Sequence, residues 1–362
     1  MTKWKYYALS LFFVPFLIGF LINHYGQRNF ISTKWNLPNR IYLHLVSNKT
    51  SDEGTWNFLS KIFPKEGEYV DGNAVNETSQ KISHSNLTVV TAYWNLGTFR
   101  KGSHQTFTTN TYLTWTKTFK YLMNPLVIYT DCVQFRDLIT KERSEGKLEY
   151  QTELVFINRT SLWPFSLLDK IKQVYSQPGY PAHYPNTVNP SYSAAQHAKY
   201  AVVADAVRRN LYNTSYFAWL DIGYFRDLIG SNQYFELKIP PNFDSSRLAV
   251  NLISHRGMNT RPFSIFRSNI VWVGGGLFIG TRNVVIEFEK LYERAVLYFL
   301  DQKLMNSDQQ VLYSLYSQEG RKALKPNIEL QLYTPTGGGN PWFYLGYLCR
   351  KVVNRTKVEE FI

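Results

Sequence analysis

Asp221 ends a short apolar run, and it is the residue in this chain best placed to do chemistry. Tyr216-Phe-Ala-Trp-Leu220 before it is uncharged and rich in aromatics, and Gly223 follows two residues later. A short unbroken apolar run closed by turn residues reads as a strand buried on both faces. In open α/β sheets ligands bind in the crevice outside the carboxyl ends of the strands. A lone carboxylate there, followed by a residue with no side chain, suits a bound metal or a diphosphate. The same letters also spell a plain Asp-x-Gly turn. Asp308 is the second acid of interest, in Ser307-Asp-Gln-Gln-Val-Leu312 at the start of a predicted helix with Ser307 as its cap. An acid in a first helical turn also simply suits the helix dipole. Lys199 lies in a third helical stretch, where a solvated lysine is the ordinary expectation.

The elements that must position these residues alternate. Leu87–Trp94, Pro125–Asp131 and Leu148–Ile157 read as strands, with helical spacing over Thr106–Leu122 and Phe135–Glu145 between them. That order implies βαβ units and a parallel sheet. Ser193–Asn210 reads as a helix capped by Ser193 and feeding the Asp221 strand. Arg247–Ser254 reads as a strand, Val271–Gly280 as a glycine-broken strand pair or a loop running into a strand, Val284–Leu300 as a long amphipathic helix and Glu329–Tyr333 as a late strand.

The flanks suggest a compartment. Tyr6–Ile22 is apolar without one charge, after Lys3 and Lys5. Its length just suffices to span a bilayer, and the lysines favour a cytosolic N-terminus. A cleaved signal peptide shares this form, but the run is long and bulky and no small-x-small site follows. Residues 1–5 are therefore expected as a cytosolic tail, 6–22 as a signal anchor, 23–85 as a stem, 86–350 as the folded domain and 351–362 as a tail. Six sequons, at Asn48, Asn76, Asn86, Asn158, Asn213 and Asn354, fit a lumenal domain. Asn213 precedes the central strand and should lie at its exposed end, away from Asp221. Cys132 and Cys349 either pair in an oxidising lumen or stay free.

Composition excludes other classes. Hydrophobic residues make up 44% of the 362, with 26 Tyr and 24 Phe, which argues for a large core and against disorder. The net charge of +13 favours anionic partners. The basic residues are scattered rather than striped, so nucleic acid is not expected. The seven His show no metal-ligand spacing, and neither a serine-hydrolase elbow nor a phosphate-binding P-loop occurs.

Taken in order, Thr91-Ala-Tyr-Trp94, Tyr129-Thr-Asp131, Trp219-Leu-Asp-Ile-Gly-Tyr224, Gly274-Gly-Gly-Leu-Phe-Ile-Gly280 and Ser307-Asp-Gln-Gln-Val-Leu312 resemble the bacterial HtrL/YibB family. Their order and spacing also resemble glycosyltransferases of the GT-A type, over roughly residues 86–350. The resemblance implies a GT-A-like, Rossmann-type, mostly parallel sheet flanked by helices, which the transmembrane helix read from residues 6–22 would precede. It implies a nucleotide-sugar donor and transfer of its sugar; with the anchor and the sequons, the expected acceptor is a glycan or glycoconjugate and the expected place the Golgi or endoplasmic reticulum membrane. By the same resemblance Thr91, Ala92 and Tyr93 form the nucleotide-binding loop and Asp131 sits near the nucleoside. Asp221 and Gly223 stand where Asp-x-Asp is usual, so the second acid is missing. Gly274, Gly275 and Gly276 line the acceptor side, and Asp308-Gln309 lies near the reaction centre.

The chemistry agrees on its own terms. A leaving diphosphate needs its charge neutralised, by Mg²⁺ or Mn²⁺ on Asp221, with Asp308 or His255 as second ligand. Without a metal, Lys199, Arg226 or Arg256 must do so. Asp308 is the candidate base for an acceptor hydroxyl. The alternatives are a degenerate fold of the same kind that only binds glycans, and a purely structural membrane-anchored protein.

Overall fold

The computed structural model describes residues 85–102 and 105–353, together with a two-residue antiparallel ladder of Phe30–Ile31 with Leu45–Val46. The expected anchor at 6–22, most of the stem, and the sequons Asn48, Asn76 and Asn354 lie outside the described residues. Among the described residues no helix is long and apolar enough to cross a membrane.

Seven strands form one sheet. We number them β1 (Leu87–Tyr93), β2 (Leu126–Thr130), β3 (Thr152–Phe156), β4 (Tyr216–Leu220), β5 (Leu248–Leu252), β6 (Val273–Thr281) and β7 (Leu330–Tyr333). Their order across the sheet is β7-β5-β6-β4-β1-β2-β3. All neighbours pair in parallel except β6, which runs antiparallel to both β4 and β5. The principal helices are α1 (Thr109–Thr116), α2 (Val133–Glu145), α3 (Pro190–Arg209), α4 (Arg282–Asp301) and α5 (Asp308–Tyr316).

The apolar runs in the sequence are explained by helices on both faces. Val90, Val127, Tyr129, Phe217, Trp219 and Val250 pack with α3, α4 and α5 in one core. The alternate residues Leu87, Val89, Leu126, Ile128, Ala218 and Leu220 pack with α1 and α2 in the other. Neighbouring strand residues point to opposite faces, so every position of such a strand is buried and none need be polar. The chain reverses its direction across the sheet between β1 and β4, and such a switch point opens a crevice at the carboxyl ends.

Several boundaries differ from the sequence reading. The expected helix 106–122 is a strand at Gln105–Phe107, then α1, then a 3-10 turn at Lys117–Tyr121. The threonine-rich start disfavours helix, and Thr108 caps α1 in a reciprocal box with Thr111. α3 begins at Pro190 rather than at Ser193, because the Asn189 side chain accepts from Tyr192 N and Pro190 suits the first turn. Ser193 instead donates to the Asn306 carbonyl at 2.6 Å. β3 is shorter than expected, since Glu149–Gln151 form a 3-10 turn. Val273–Thr281 is one unbroken strand. Arg350–Val352, expected mostly in the tail, pairs antiparallel with Phe235–Leu237. Both cysteines are free. Asn86, Asn158 and Asn213 are exposed, Asn213 at the amino end of β4, opposite Asp221.

Candidate functional site

Asp221 follows the last residue of β4 and is held there by backbone. Its N–H donates to the Gly276 carbonyl at 2.9 Å, and its own carbonyl accepts from Tyr224 N at 3.0 Å, closing a turn. The antiparallel course of β6 brings its amino-terminal glycines to the edge where β4 and β5 end. The Asp221 carboxylate points to the α3 side of the sheet, as Trp219 does two residues earlier. Trp219 Nε1 donates to Asp221 Oδ1 at 2.7 Å.

Lys199 meets this carboxylate from α3. Its ammonium lies 3.2 Å from Asp221 Oδ1 and 3.3 Å from Asp308 Oδ2, and it donates to the Gly275 carbonyl at 2.9 Å. The lysine side chain is 3% exposed and that of Asp308 1%, while that of Asp221 is 40% exposed. Lys199 is thus no solvated helix residue. Burial pulls its pKa down, but Asp221 and Asp308 outweigh that and hold it above the ordinary lysine value. Asp308 shifts upward, first through burial, with Lys199 opposing and Asp221 adding to the rise. Two acids share one ammonium, so the fully ionised cluster carries one net negative charge. Asp308 Oδ1 is buried with no hydrogen-bond partner among the described residues.

The glycines make this closeness feasible. A Cβ on Gly275 would stand 1.8 Å from Asp308 Oδ2, so any side chain would expel the acid. Gly276 faces Asp221 and Tyr224, whereas Gly274 faces Ile253. Gly223 holds no room for the missing acid, because its Cβ position lies 2.4 Å from the Trp115 ring.

Not all the sequence candidates join the cluster. Thr91 is buried and spends its hydroxyl on the Leu220 carbonyl at 2.7 Å, tying β1 to β4. Ala92 is half-buried, and Tyr93 stacks on Phe135 with ring centroids 4.7 Å apart. Asp131, at the end of β2, is paired with Arg159. Gln309 is half-buried and follows Asp308 in the first turn of α5. Ser307 stands at the cap position of α5, but its hydroxyl bonds the Gln310 side chain rather than the backbone. His255 and Arg256 are exposed beyond β5, at the same edge of the sheet.

Three further residues enter that were not among the sequence candidates. Tyr192 feels the charges of Lys199, Asp221 and Asp308. Arg159 holds Asp131. Lys101 sits on the hairpin of Phe99–Lys101 with Gln105–Phe107, whose Phe99 packs on Tyr192 and whose Phe107 packs on Trp115. Lys101 as a whole is exposed, yet its ammonium feels the charges of the crevice. Desolvation lowers its pKa first; Asp221 opposes, and Lys199 and Arg226 lower it further. Arg226 stacks on Phe343 at 4.7 Å and donates to the Gly223 carbonyl. No sequence signal marks Lys101, since a lone basic residue in a polar loop is commonplace.

A divalent ion bridging Asp221 and Asp308 does not fit, because the Lys199 ammonium already lies between them. A metal held by one carboxylate plus substrate phosphates does fit at Asp221 Oδ2, which accepts no hydrogen bond among the described residues. That is a usual way of holding Mg²⁺. No group of three His, Cys, Asp or Glu that could hold a metal occurs among the described residues.

The family model described as "Bacterial protein of unknown function (HtrL_YibB)" matches residues 85–321. No curated protein matches the chain. The family match covers well over half of the chain, so this protein belongs to the HtrL/YibB family.

Proposed function

Starting from that membership, we propose that this protein is a glycosyltransferase of GT-A-like type that moves a sugar from a nucleotide-sugar donor to a glycan or glycoconjugate. The observation that carries the reading is Asp221. It is a half-open carboxylate at the carboxyl edge beside the switch point, fixed by Trp219 and by the one antiparallel strand. Lys101 and Arg226 beside it supply charge for a diphosphate. The donor's nucleoside lies towards Tyr93 and Asp131, at the ends of β1 and β2.

Asp221 would hold Mg²⁺ or Mn²⁺ together with the donor phosphates, and the ion would supply Lewis-acid charge for the leaving diphosphate. The chain's own residues do the rest. Lys199 holds Asp221 Oδ1 and so aims Oδ2 at the crevice. Asp308 holds Lys199 from behind. A general base must reach the proton it takes, and Asp308 lies sealed behind Lys199 and Gly275. We therefore assign it a positioning role in place of the base expected from sequence. The protein works as a lumenal, single-pass type II membrane protein of the Golgi or endoplasmic reticulum, anchored through residues 6–22.

A second reading is a degenerate fold of the same type that binds glycans without turning over a donor. It is favoured by Trp115, which fills the place of the second acid at Gly223.

A screen of UDP- and GDP-sugars for hydrolysis, with and without Mn²⁺, separates the two. Turnover by the wild type that is lost in Asp221→Asn supports the transferase. Absence of turnover with every donor, and of a thermal shift by any nucleotide, sinks it.

A further inference from the structure

The helix Leu168–Tyr175, the segment after it and the first turn of α3 enclose an open cleft of about 580 Å³. That is within the range of about 300–1,000 Å³ typical of small-molecule sites. Asp169, Lys172, Tyr175, Tyr180, Thr187 and Ser191 line it.

The chemistry of its walls is mixed in a particular way. Both tyrosines spend their hydroxyls on the protein interior. Tyr175 Oη donates to Ser193 Oγ at 2.9 Å, and Tyr180 Oη donates to the Met305 carbonyl at 2.6 Å while accepting from Met305 N at 3.0 Å. What they offer the cleft is therefore ring carbon. The two rings lie 5.8 Å apart, tilted by 38° to each other, and the Arg267 guanidinium stacks on Tyr180 at 5.2 Å. Asp169 and Lys172, three residues apart on the helix Leu168–Tyr175, are exposed and enter no ion pair among the described residues. The cleft thus joins anchored aromatic surface to a free carboxylate, a free ammonium and the half-buried hydroxyl of Ser191, while Thr187 spends its hydroxyl on His183 N and the Pro181 carbonyl. A pyranose has the matching form, with an apolar face of C–H groups and a rim of hydroxyls that donate and accept. A phosphate would meet Asp169, and a purely apolar ligand would strand the charged pair.

The cleft is also wired to the crevice. Tyr180 grips Met305, and Ser193 Oγ donates to the Asn306 carbonyl at 2.6 Å, in the segment that leads directly into Asp308. Ser191 of the lining is one residue from Tyr192, which feels Lys199, Asp221 and Asp308.

We propose that this cleft binds a pyranose unit of a glycan, and that it, rather than Gly274–Gly276, recognises the acceptor. The acceptor role rests on the transferase reading; carbohydrate binding by the cleft does not.

The test is saturation-transfer NMR and calorimetric titration of the full chain. The probes are methyl glycosides of galactose, glucose, mannose and N-acetylglucosamine, together with lactose, maltose and chitobiose. At least one sugar is expected to bind saturably, at least 10-fold more weakly to Asp169→Ala/Lys172→Ala. The thermal shift caused by UDP or GDP is expected to be unchanged in that variant. Both positions are exposed, so the variant keeps its fold. Sugar binding that is equal in the variant, or no binding by any of these sugars, overturns the proposal. Sugar binding lost in the variant, with no nucleotide response in the wild type, upholds the cleft and defeats the transferase reading instead.

Discussion

Arg143 and Lys199 are both cations buried in the folded domain, and they are handled in opposite ways. Arg143 on α2 is 1% exposed. It donates to the carbonyls of Phe119 at 2.9 Å, Leu122 at 2.5 Å and Leu148 at 3.5 Å, and to Thr152 Oγ1 at 2.7 Å. No carboxylate pairs with it among the described residues, and burial lowers its pKa. Lys199 is held by two carboxylates and one carbonyl, its pKa is raised, and one oxygen of its partner Asp308 has no hydrogen-bond partner among the described residues. The guanidinium ties loop ends into α2 and leaves little undone. The ammonium sits among excess acid beside the open Asp221. Buried charges that are fully satisfied by backbone are structural, whereas surplus charge beside a crevice marks a site.

That contrast can be broken most forcefully at Lys199. Lys199→Met leaves two carboxylates facing each other without a cation. It should cost about 3–5 kcal/mol in urea unfolding and remove any nucleotide-induced thermal shift. Arg143→Met strands several buried carbonyls, each worth about 1–3 kcal/mol. It should destabilise by roughly 3 kcal/mol, yet leave the nucleotide Kd of the folded fraction unchanged. A changed Kd would put Arg143 in the site and dissolve the comparison. Gly223→Asp restores the missing acid in letters only. With Trp115 in the way it should cost about 1–3 kcal/mol, and Mn²⁺ titration should show no tighter binding than in the wild type.

The smallest effect concerns His197, a buried neighbour of Lys199 on α3. Its Nδ1 lies 2.7 Å from Tyr292 Oη, and burial pushes its pKa down to about 3. The unfolded chain has its histidine pKa near 6.5. A depressed histidine pKa gives stability that is present above the unfolded value and lost as pH falls towards the folded one. Between pH 7.5 and pH 6 the loss should be about 1 kcal/mol. His197→Gln should flatten the urea midpoint against pH over that interval; an unchanged profile would mean that His197 titrates normally.

The sheet was legible because its strands are buried on both faces. Leu87–Tyr93, Leu126–Thr130 and Tyr216–Leu220 are short, uncharged runs rich in β-branched and aromatic residues, bounded by turn residues, which favours buried strands over helices. Asp221 was legible for the same reason, as the acid at which such a run stops. The capped start of α3 was misread because Asn189-Pro190 resembles the irregular segment before it. The Lys199 cluster was hidden because its members are 22 and 87 residues from Asp221 in sequence, and only the packing of α3 and α5 on the sheet makes them neighbours. Gly223 read as a lost ligand until Trp115, from another helix, accounted for it. Side-chain pairings of this kind depend on long-range packing, which local spacing does not encode.

Titration of the wild-type chain and of Asp221→Asn with UDP and GDP, followed by thermal shift in the presence of Mn²⁺, tests the central claim most directly. We predict that at least one nucleotide raises the melting temperature of the wild type by several degrees in a saturable way, and that Asp221→Asn loses at least nine-tenths of that response while keeping its basal melting temperature. An equal response in the two proteins, or none in either, contradicts a nucleotide-sugar site built on Asp221.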